Sequence, residues 1–155
     1  MKRLPWCLAA LLVVLQASGF AQEQPKGTTE LDGTWQIISR NTEGFDWTEE
    51  DLKAIPVQRL VFRGNKLITL DKDGKVFSET PVKVYPKRVP PAIDMIGRDL
   101  FDPAETWTIK HIYSLKGDTL TLCWQFGPRA QRPKDFNAVE GSRLEVATYK
   151  RVPEK

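Results

Sequence analysis

The chain contains a single histidine, His111, and acid–base or zinc chemistry that uses an imidazole would have to start from it. A zinc site built on histidine and cysteine could add only Cys123, because the other cysteine, Cys7, lies near the N-terminus. His111 and Cys123 are assigned to opposite faces of neighbouring strands. No Gly-x-Ser-x-Gly, phosphate-loop or His-Glu-x-x-His pattern is present. We therefore predict no catalytic residue, no metal site and no cofactor, and we interpret His111 as a hydrogen-bonded residue of a core or cavity.

Aromatic and arginine residues in the loops offer better material for binding than for catalysis. Aromatic rings provide large apolar contact areas, and a guanidinium group pairs well with a carboxylate or phosphate. The loop candidates are Trp47, Phe101 and Phe136 as apolar contacts and Arg129 or Arg132 as the partner of an acidic head group. The alternative is that these are ordinary loop aromatics packed beneath their own loops beside solvated charges.

Short segments with period-two apolar alternation predict the strands that must position these residues. The eight predicted strands lie near residues 34–40, 57–63, 66–71, 75–85, 92–97, 106–115, 118–126 and 143–150. The sixth of them brings His111 and Tyr113 to one face, which adds both residues to the predicted ligand-binding set. One short helix is predicted between the first two strands, because Thr48-Glu49-Glu50-Asp51 resembles a capping box and Pro56 ends the segment.

An antiparallel meander places alternate loops at the same end. The connections that follow the first, third, fifth and seventh strands would therefore cluster, and they include the loops that carry the aromatic and arginine candidates. Alternation along the strands assigns apolar residues to the inward face, and their three tryptophans and two phenylalanines would fill much of a barrel of eight strands. The residues assigned inward are Trp35, Ile37, Leu60, Phe62, Ile68, Leu70, Val82, Val84, Trp107, Ile109, Tyr113, Leu120, Leu122, Trp124, Phe126, Leu144 and Val146. The sequence leaves open whether the interior holds a ligand cavity or a filled core.

The N-terminus predicts export. Lys2 and Arg3 precede an apolar run, Leu8 to Leu15, and Gly19-Phe20-Ala21 offers small residues for cleavage. We predict a signal peptide at 1–21, a flexible leader at 22–30 and one barrel domain at 31–152, located in the periplasm or outside the cell.

Cleavage after residue 21 would change the charge balance. The 155-residue chain has 23 basic and 20 acidic side chains, and loss of Lys2 and Arg3 leaves a net charge of about +1. This balance argues against a nucleic-acid partner, which needs a concentrated basic field. No apolar run after the signal is long enough to span a membrane. Cys123 would be the only remaining cysteine, either exposed and able to form a disulfide-linked dimer or shielded beneath a loop.

Four segments, spread over nearly the whole mature chain, resemble a family of exported, uncharacterised lipocalin-like (calycin-type) domains common in planctomycete-type bacteria. The segments are Leu31-Asp32-Gly33-Thr34-Trp35, Leu60 to Lys66, Ile112 to Leu120 with Cys123 following, and Arg132 to Phe136. The resemblance implies an all-β fold, an eight-stranded antiparallel up-and-down lipocalin-like barrel with one short helix. It brings no catalytic residues, and His111 stands where the family has a small residue.

Trp35 is interpreted as a structural plug at the closed end of this barrel. In the family that the chain resembles, a basic side chain of the last strand packs over this ring, a role that Lys150 or Arg151 could fill here. The expected function is non-enzymatic binding of a small apolar or amphipathic ligand. The alternative is a protein-interaction or inhibitor-like module, in which a filled barrel presents its loops to an exported protein partner.

Overall fold

The computed structural model describes residues 29–98, 106–127 and 129–153. The predicted signal peptide, most of the predicted leader, and Phe101 lie outside these residues. In the described part of the chain, no helix is long and apolar enough to cross a membrane.

Within these residues nine antiparallel strands form one sheet, and eight of them close into a barrel, because β1 pairs with both β3 and β9. The strands are β1 (Gly33–Thr42), β2 (Phe45–Asp46), β3 (Arg59–Arg63), β4 (Lys66–Leu70), β5 (Val76–Tyr85), β6 (Ala92–Arg98), β7 (Thr106–Lys116), β8 (Thr119–Gln125) and β9 (Leu144–Val152). The predicted all-β barrel is confirmed. The two-residue β2, which pairs only with the end of β1, was not predicted.

The predicted short helix is also present, as α1 (Glu49–Ala54) between β2 and β3. The Thr48 side chain accepts a hydrogen bond from the backbone N–H of Asp51, and the Asp51 carboxylate accepts one from the backbone N–H of Thr48. These are the two bonds of a capping box. Leu52 packs against the barrel core, so α1 lies over the end of the barrel to which β1 runs.

The opposite end of the barrel is closed by Trp35, which is fully buried. Its indole N–H donates to the backbone carbonyl of Leu31 at 2.8 Å, and the Arg151 guanidinium carbon lies 4.1 Å from the ring centroid. Arg151 also donates to the carbonyl of Asp32, at 2.6 Å. A Cβ at Gly33 would lie 2.8 Å from Nη1 of Arg151, so the glycine of the Gly-x-Trp segment makes room for the guanidinium group.

The inward faces of β4 and β9 differ from the prediction. Ile68 and Leu70 were assigned inward, but Leu67 is the buried core residue of β4, opposite Phe62 of β3. Both faces of β4 carry apolar residues, so its sequence does not fix the phase, and pairing with β3 decides it.

On β9, Leu144 and Val146 were assigned inward, but Glu145, Ala147 and Tyr149 are the buried residues. The presence of a carboxylate made this face look like the solvent side. The buried carboxylate of Glu145 has its counter-charge inside the barrel. A bulge between Ile37 and Ser39 of β1 shifts the register of that strand so that Arg40 faces inward and pairs with Glu145.

The segment after β8 lies against the outer wall of the barrel. Arg132 forms an ion pair with Asp94 of β6 and donates to the backbone carbonyl of His111 at 2.7 Å. Pro133 is buried in the same segment. The outward-facing residues Ile112 and Cys123 are consequently fully buried.

Candidate functional site

The site is an opening in the barrel wall between β7 and β8. The first pair of the two strands is Lys116 with Thr119, next to the turn that joins them. The last pair is His111 with Trp124, and the pairing ends there. Beyond that point residues 106–110 of β7 pair only with β6, while Gln125 of β8 pairs with Leu144 of β9. Two strands that diverge in this way leave backbone and side chains facing a gap instead of a neighbouring strand.

A pocket of about 470 Å³ fills this gap, and we call it the lateral pocket. Its volume lies within the range of roughly 300–1,000 Å³ that is typical of small-molecule sites. The lining is mainly apolar, and the pocket is partly open to solvent. It is lined by Trp107, Thr108, Ile109, Trp124, Gln125, Phe126, Gly127, Arg129 and Ala130.

Two of the lining aromatics are unusually exposed for their size. Trp107 is 45% exposed and Phe126 is 36% exposed, whereas the tryptophan at the closed end is fully buried. Aromatic side chains of this size ordinarily bury most of their surface, whereas these two exposed rings border one concave site.

The position of the Trp107 indole is set by Gly97, its partner across β6 and β7. A Cβ on Gly97 would lie 1.9 Å from Cζ2 and 2.0 Å from Cε2 of the indole, so the ring lies directly on the glycine backbone. Gly97 itself is buried. One side of the ring is thus covered by Gly97, and the remaining exposed surface of Trp107 borders the lateral pocket.

Arg129 is the only charged residue among the described residues that line the pocket. Its side chain is exposed, and no ion pair joins it to another residue in the described part of the chain. Its backbone has φ of 61°, an uncommon value for a residue with a side chain. The nearby turn is held by Gln125, whose side-chain oxygen accepts from the backbone N–H of Gln131 at 2.7 Å.

His111 lies beneath the pocket and packs on one of its walls. Its ring centroid lies 5.3 Å from that of Trp124, and Nδ1 lies 3.1 Å from the carbonyl oxygen of Ile109. Burial lowers the pKa of His111 to about 4, and the nearby Arg132 guanidinium also lowers it, although hydrogen bonding to the Ile109 carbonyl opposes these effects. The imidazole is therefore neutral at neutral pH, so it adds no charge to the pocket.

We expect this buried imidazole to make the fold acid-sensitive. The unfolded chain binds a proton on His111 below about pH 6.5, whereas the folded chain resists it down to about pH 4, so the free energy of unfolding should fall by about 3 kcal/mol over that interval. Urea unfolding at several pH values, in the wild type and in His111→Gln, measures this effect. The free energy of unfolding of His111→Gln should lack this fall of about 3 kcal/mol between pH 6.5 and pH 4. An identical pH dependence in both proteins would contradict a neutral, buried His111.

A buried ion pair, Arg40 with Glu145, lies inside the barrel on the other side of Trp124. The Arg40 guanidinium carbon is 4.3 Å from the ring centroid of Trp47 and 6.0 Å from that of Trp124. The Arg40 side chain is 23% exposed and that of Glu145 only 8%. Burial raises the pKa of Glu145, and the Arg40 charge opposes that rise. Arg40 Nε has no hydrogen-bond partner among the residues that the structure describes.

Of the predicted binding residues, the structure brings Arg129 to the pocket and His111 to its base. Trp47 lies over Arg40, and its indole N–H donates to Thr42 Oγ1 at 3.0 Å. Tyr113 is buried in the core, where its hydroxyl donates to Glu30 at 2.7 Å and burial raises its pKa.

The remaining predicted residues lie elsewhere. Arg132 is engaged with Asp94 on the outer wall, away from the lateral pocket. Phe136 is partly buried in the segment after β8 and is not among the described lining residues. Phe101 lies outside the described residues. Cys123 is shielded, as one of the two sequence interpretations proposed, and burial raises its thiol pKa to about 12.

Comparison with known protein families, with characterised proteins and with solved structures finds no match for this chain. The fold and the site therefore have to define the class by themselves. That class is a closed, eight-stranded antiparallel β-barrel with an aromatic-lined opening in its wall.

Sequence reasoning missed most of the pocket lining. Trp107, Ile109, Trp124 and Phe126 were all assigned inward, but as core residues and not as site residues. A usable signal was present, because the apolar residues at the start of the sixth predicted strand face those at the end of the seventh in a hairpin. What the sequence did not show is that the two strands separate there.

Proposed function

We propose that this protein is an exported, non-enzymatic binding protein that holds one small apolar or amphipathic molecule in the lateral pocket. The observation that carries the proposal is the pocket of about 470 Å³ with indole and phenyl walls, set where β7 and β8 separate. Burying apolar ligand surface against these rings provides the driving force, at roughly 25 cal/mol per Å².

The distribution of polarity along the barrel supports the proposal. The core around Trp35, Phe62 and Tyr113 is filled with buried side chains, so that end offers stability. At the other end, exposed aromatic surface and an arginine border the same concave space. The fold therefore separates a packed structural half from an accessible half, which is the arrangement that a binding protein needs.

Nile red, a small neutral dye that fluoresces in apolar surroundings, provides the test. The wild-type protein should enhance its fluorescence at a single site. Phe126→Ser, which removes one wall of the pocket, should weaken the apparent affinity about ten-fold, because loss of a large apolar contact costs roughly 1.5 kcal/mol.

Phe77→Ser is the matched control, since Phe77 is 61% exposed on β5 and does not line the pocket. It should bind the dye as the wild type does. Absence of saturable binding to the wild-type protein, or equal loss in the two variants, would overturn the proposed function.

A further inference from the structure

The geometry points to a flat aromatic anion, such as an aromatic carboxylate, as the class of ligand that the lateral pocket takes. This inference rests on the proposed function and goes beyond it by choosing among apolar and amphipathic molecules. Two independent features of the pocket carry it: the packing of the Trp107 indole on Gly97, and the Arg129 guanidinium, which has no ion-pair partner among the described residues.

The first feature is a stacking surface. The Trp107 indole packs directly on the backbone of Gly97, and a side chain at position 97 would overlap the ring. The remaining exposed surface of the indole faces the pocket. Trp124 contributes a second indole, which packs on His111. A planar ligand can stack on such fixed rings, and aromatic pairs gain about 0.5–1.5 kcal/mol beyond the area that they bury. A flexible acyl chain gains only the free energy of burying its apolar surface, and it loses conformational entropy when it binds.

The second feature is the positive charge of Arg129 at the rim of the pocket. Arg129 is the only charged residue among the described lining residues, and no carboxylate of the described chain pairs with it. His111 beneath the pocket is neutral. A ligand with one negative group would meet, at the rim, a guanidinium that pairs with no carboxylate of the described residues and whose geometry suits a carboxylate.

Displacement of bound Nile red by three probes of similar size tests both features. The probes are 2-naphthoate, which is flat and anionic, 2-naphthalenemethanol, which is flat and neutral, and decanoate, which is flexible and anionic. In the wild-type protein 2-naphthoate should bind at least five-fold more tightly than decanoate and about three-fold more tightly than the neutral alcohol.

Gly97→Ala is the sharpest variant, because it leaves every pocket side chain unchanged. Gly97 does not have a left-handed backbone, so its backbone conformation suits alanine, but the added methyl would overlap the Trp107 indole and has to displace the ring. This variant and Trp107→Leu should each weaken 2-naphthoate about five-fold and leave decanoate almost unchanged. Arg129→Gln should remove the preference for 2-naphthoate over the alcohol. Lys87→Gln, the same charge change in the exposed hairpin after β5, should have no effect.

The outcomes separate the two proposals. If decanoate displaces Nile red as well as 2-naphthoate does, or if Gly97→Ala weakens both probes equally, the pocket does not select flat ligands. If the alcohol binds as tightly as 2-naphthoate, it does not select anions. Either result overturns this inference while the proposed function stands. Failure of Nile red itself to bind would remove the proposed function and this inference with it.

Discussion

Trp35→Ala should lower the free energy of unfolding by about 4 kcal/mol, the largest effect that we expect from a single substitution. Large-to-small changes of a fully buried tryptophan cost roughly 3–5 kcal/mol, because transfer free energy is lost and a cavity remains. The indole of Trp35 is fully buried, donates to Leu31 and carries the guanidinium of Arg151 on its face. For a domain of this size the midpoint of thermal unfolding should fall by roughly 10–20 °C.

Trp107→Ala provides the matched control, because it makes the same chemical change at an indole that is nearly half exposed. We expect it to cost about 1 kcal/mol or less. Differential scanning calorimetry of both variants measures the contrast. A Trp35→Ala protein that melts within a few degrees of the wild type would show that Trp35 does not hold this end of the barrel together.

The second large effect concerns the ion pair between Arg40 and Glu145. Arg40→Met should cost about 3 kcal/mol, because it leaves the Glu145 carboxylate buried without its counter-charge. Glu145→Leu should cost less, about 1–2 kcal/mol, because the Arg40 guanidinium keeps partial access to solvent and its contact with Trp47. The double variant should be close to the wild type, since an apolar pair of similar size carries no desolvation penalty.

Urea unfolding of the three variants at neutral pH gives the coupling energy between the two side chains. Strong non-additivity is expected, with the double variant more stable than Arg40→Met alone. If instead the costs of the two single substitutions simply add in the double variant, the two groups do not act as a buried pair, and the bulge at Ile37 and Ser39 would need another explanation.

The sequence was sufficient for the architecture because strand alternation, turn residues and the capping box at Thr48 are local signals. They give the strands, their up-and-down order and the short helix, whereas closure into a barrel was expected from the family resemblance. The phase of β9 could not be derived from its own residues, because the partner of the buried Glu145 is Arg40 on β1, and a bulge between Ile37 and Ser39 of β1 brings Arg40 to it. Such pairings are set by tertiary contacts and not by residue type.

The candidate binding site could likewise be predicted from the sequence only in part. Loop aromatics and arginines suggested a rim at the open end, and of these residues Arg129 lines the lateral pocket. Arg132, however, is identical in type and three positions further on, and it is engaged by Asp94 on the outer wall. Composition cannot distinguish the two, because the difference depends on where the segment after β8 lies. The separation of β7 and β8, which creates the pocket, has no local sequence signal.

The indole N–H resonances of the folded protein offer the most direct test of the central claim, that the lateral pocket holds a small molecule. Two-dimensional ¹H–¹⁵N spectra are recorded while decanoate or 2-naphthoate is added, with each indole assigned by a Trp→Phe variant. We expect saturable shifts at Trp107 and Trp124 with either probe, while the resonance of Trp35, whose N–H donates to Leu31 at the closed end, does not move. Shifts at Trp35 alone, or no saturable shift at any indole, would contradict it.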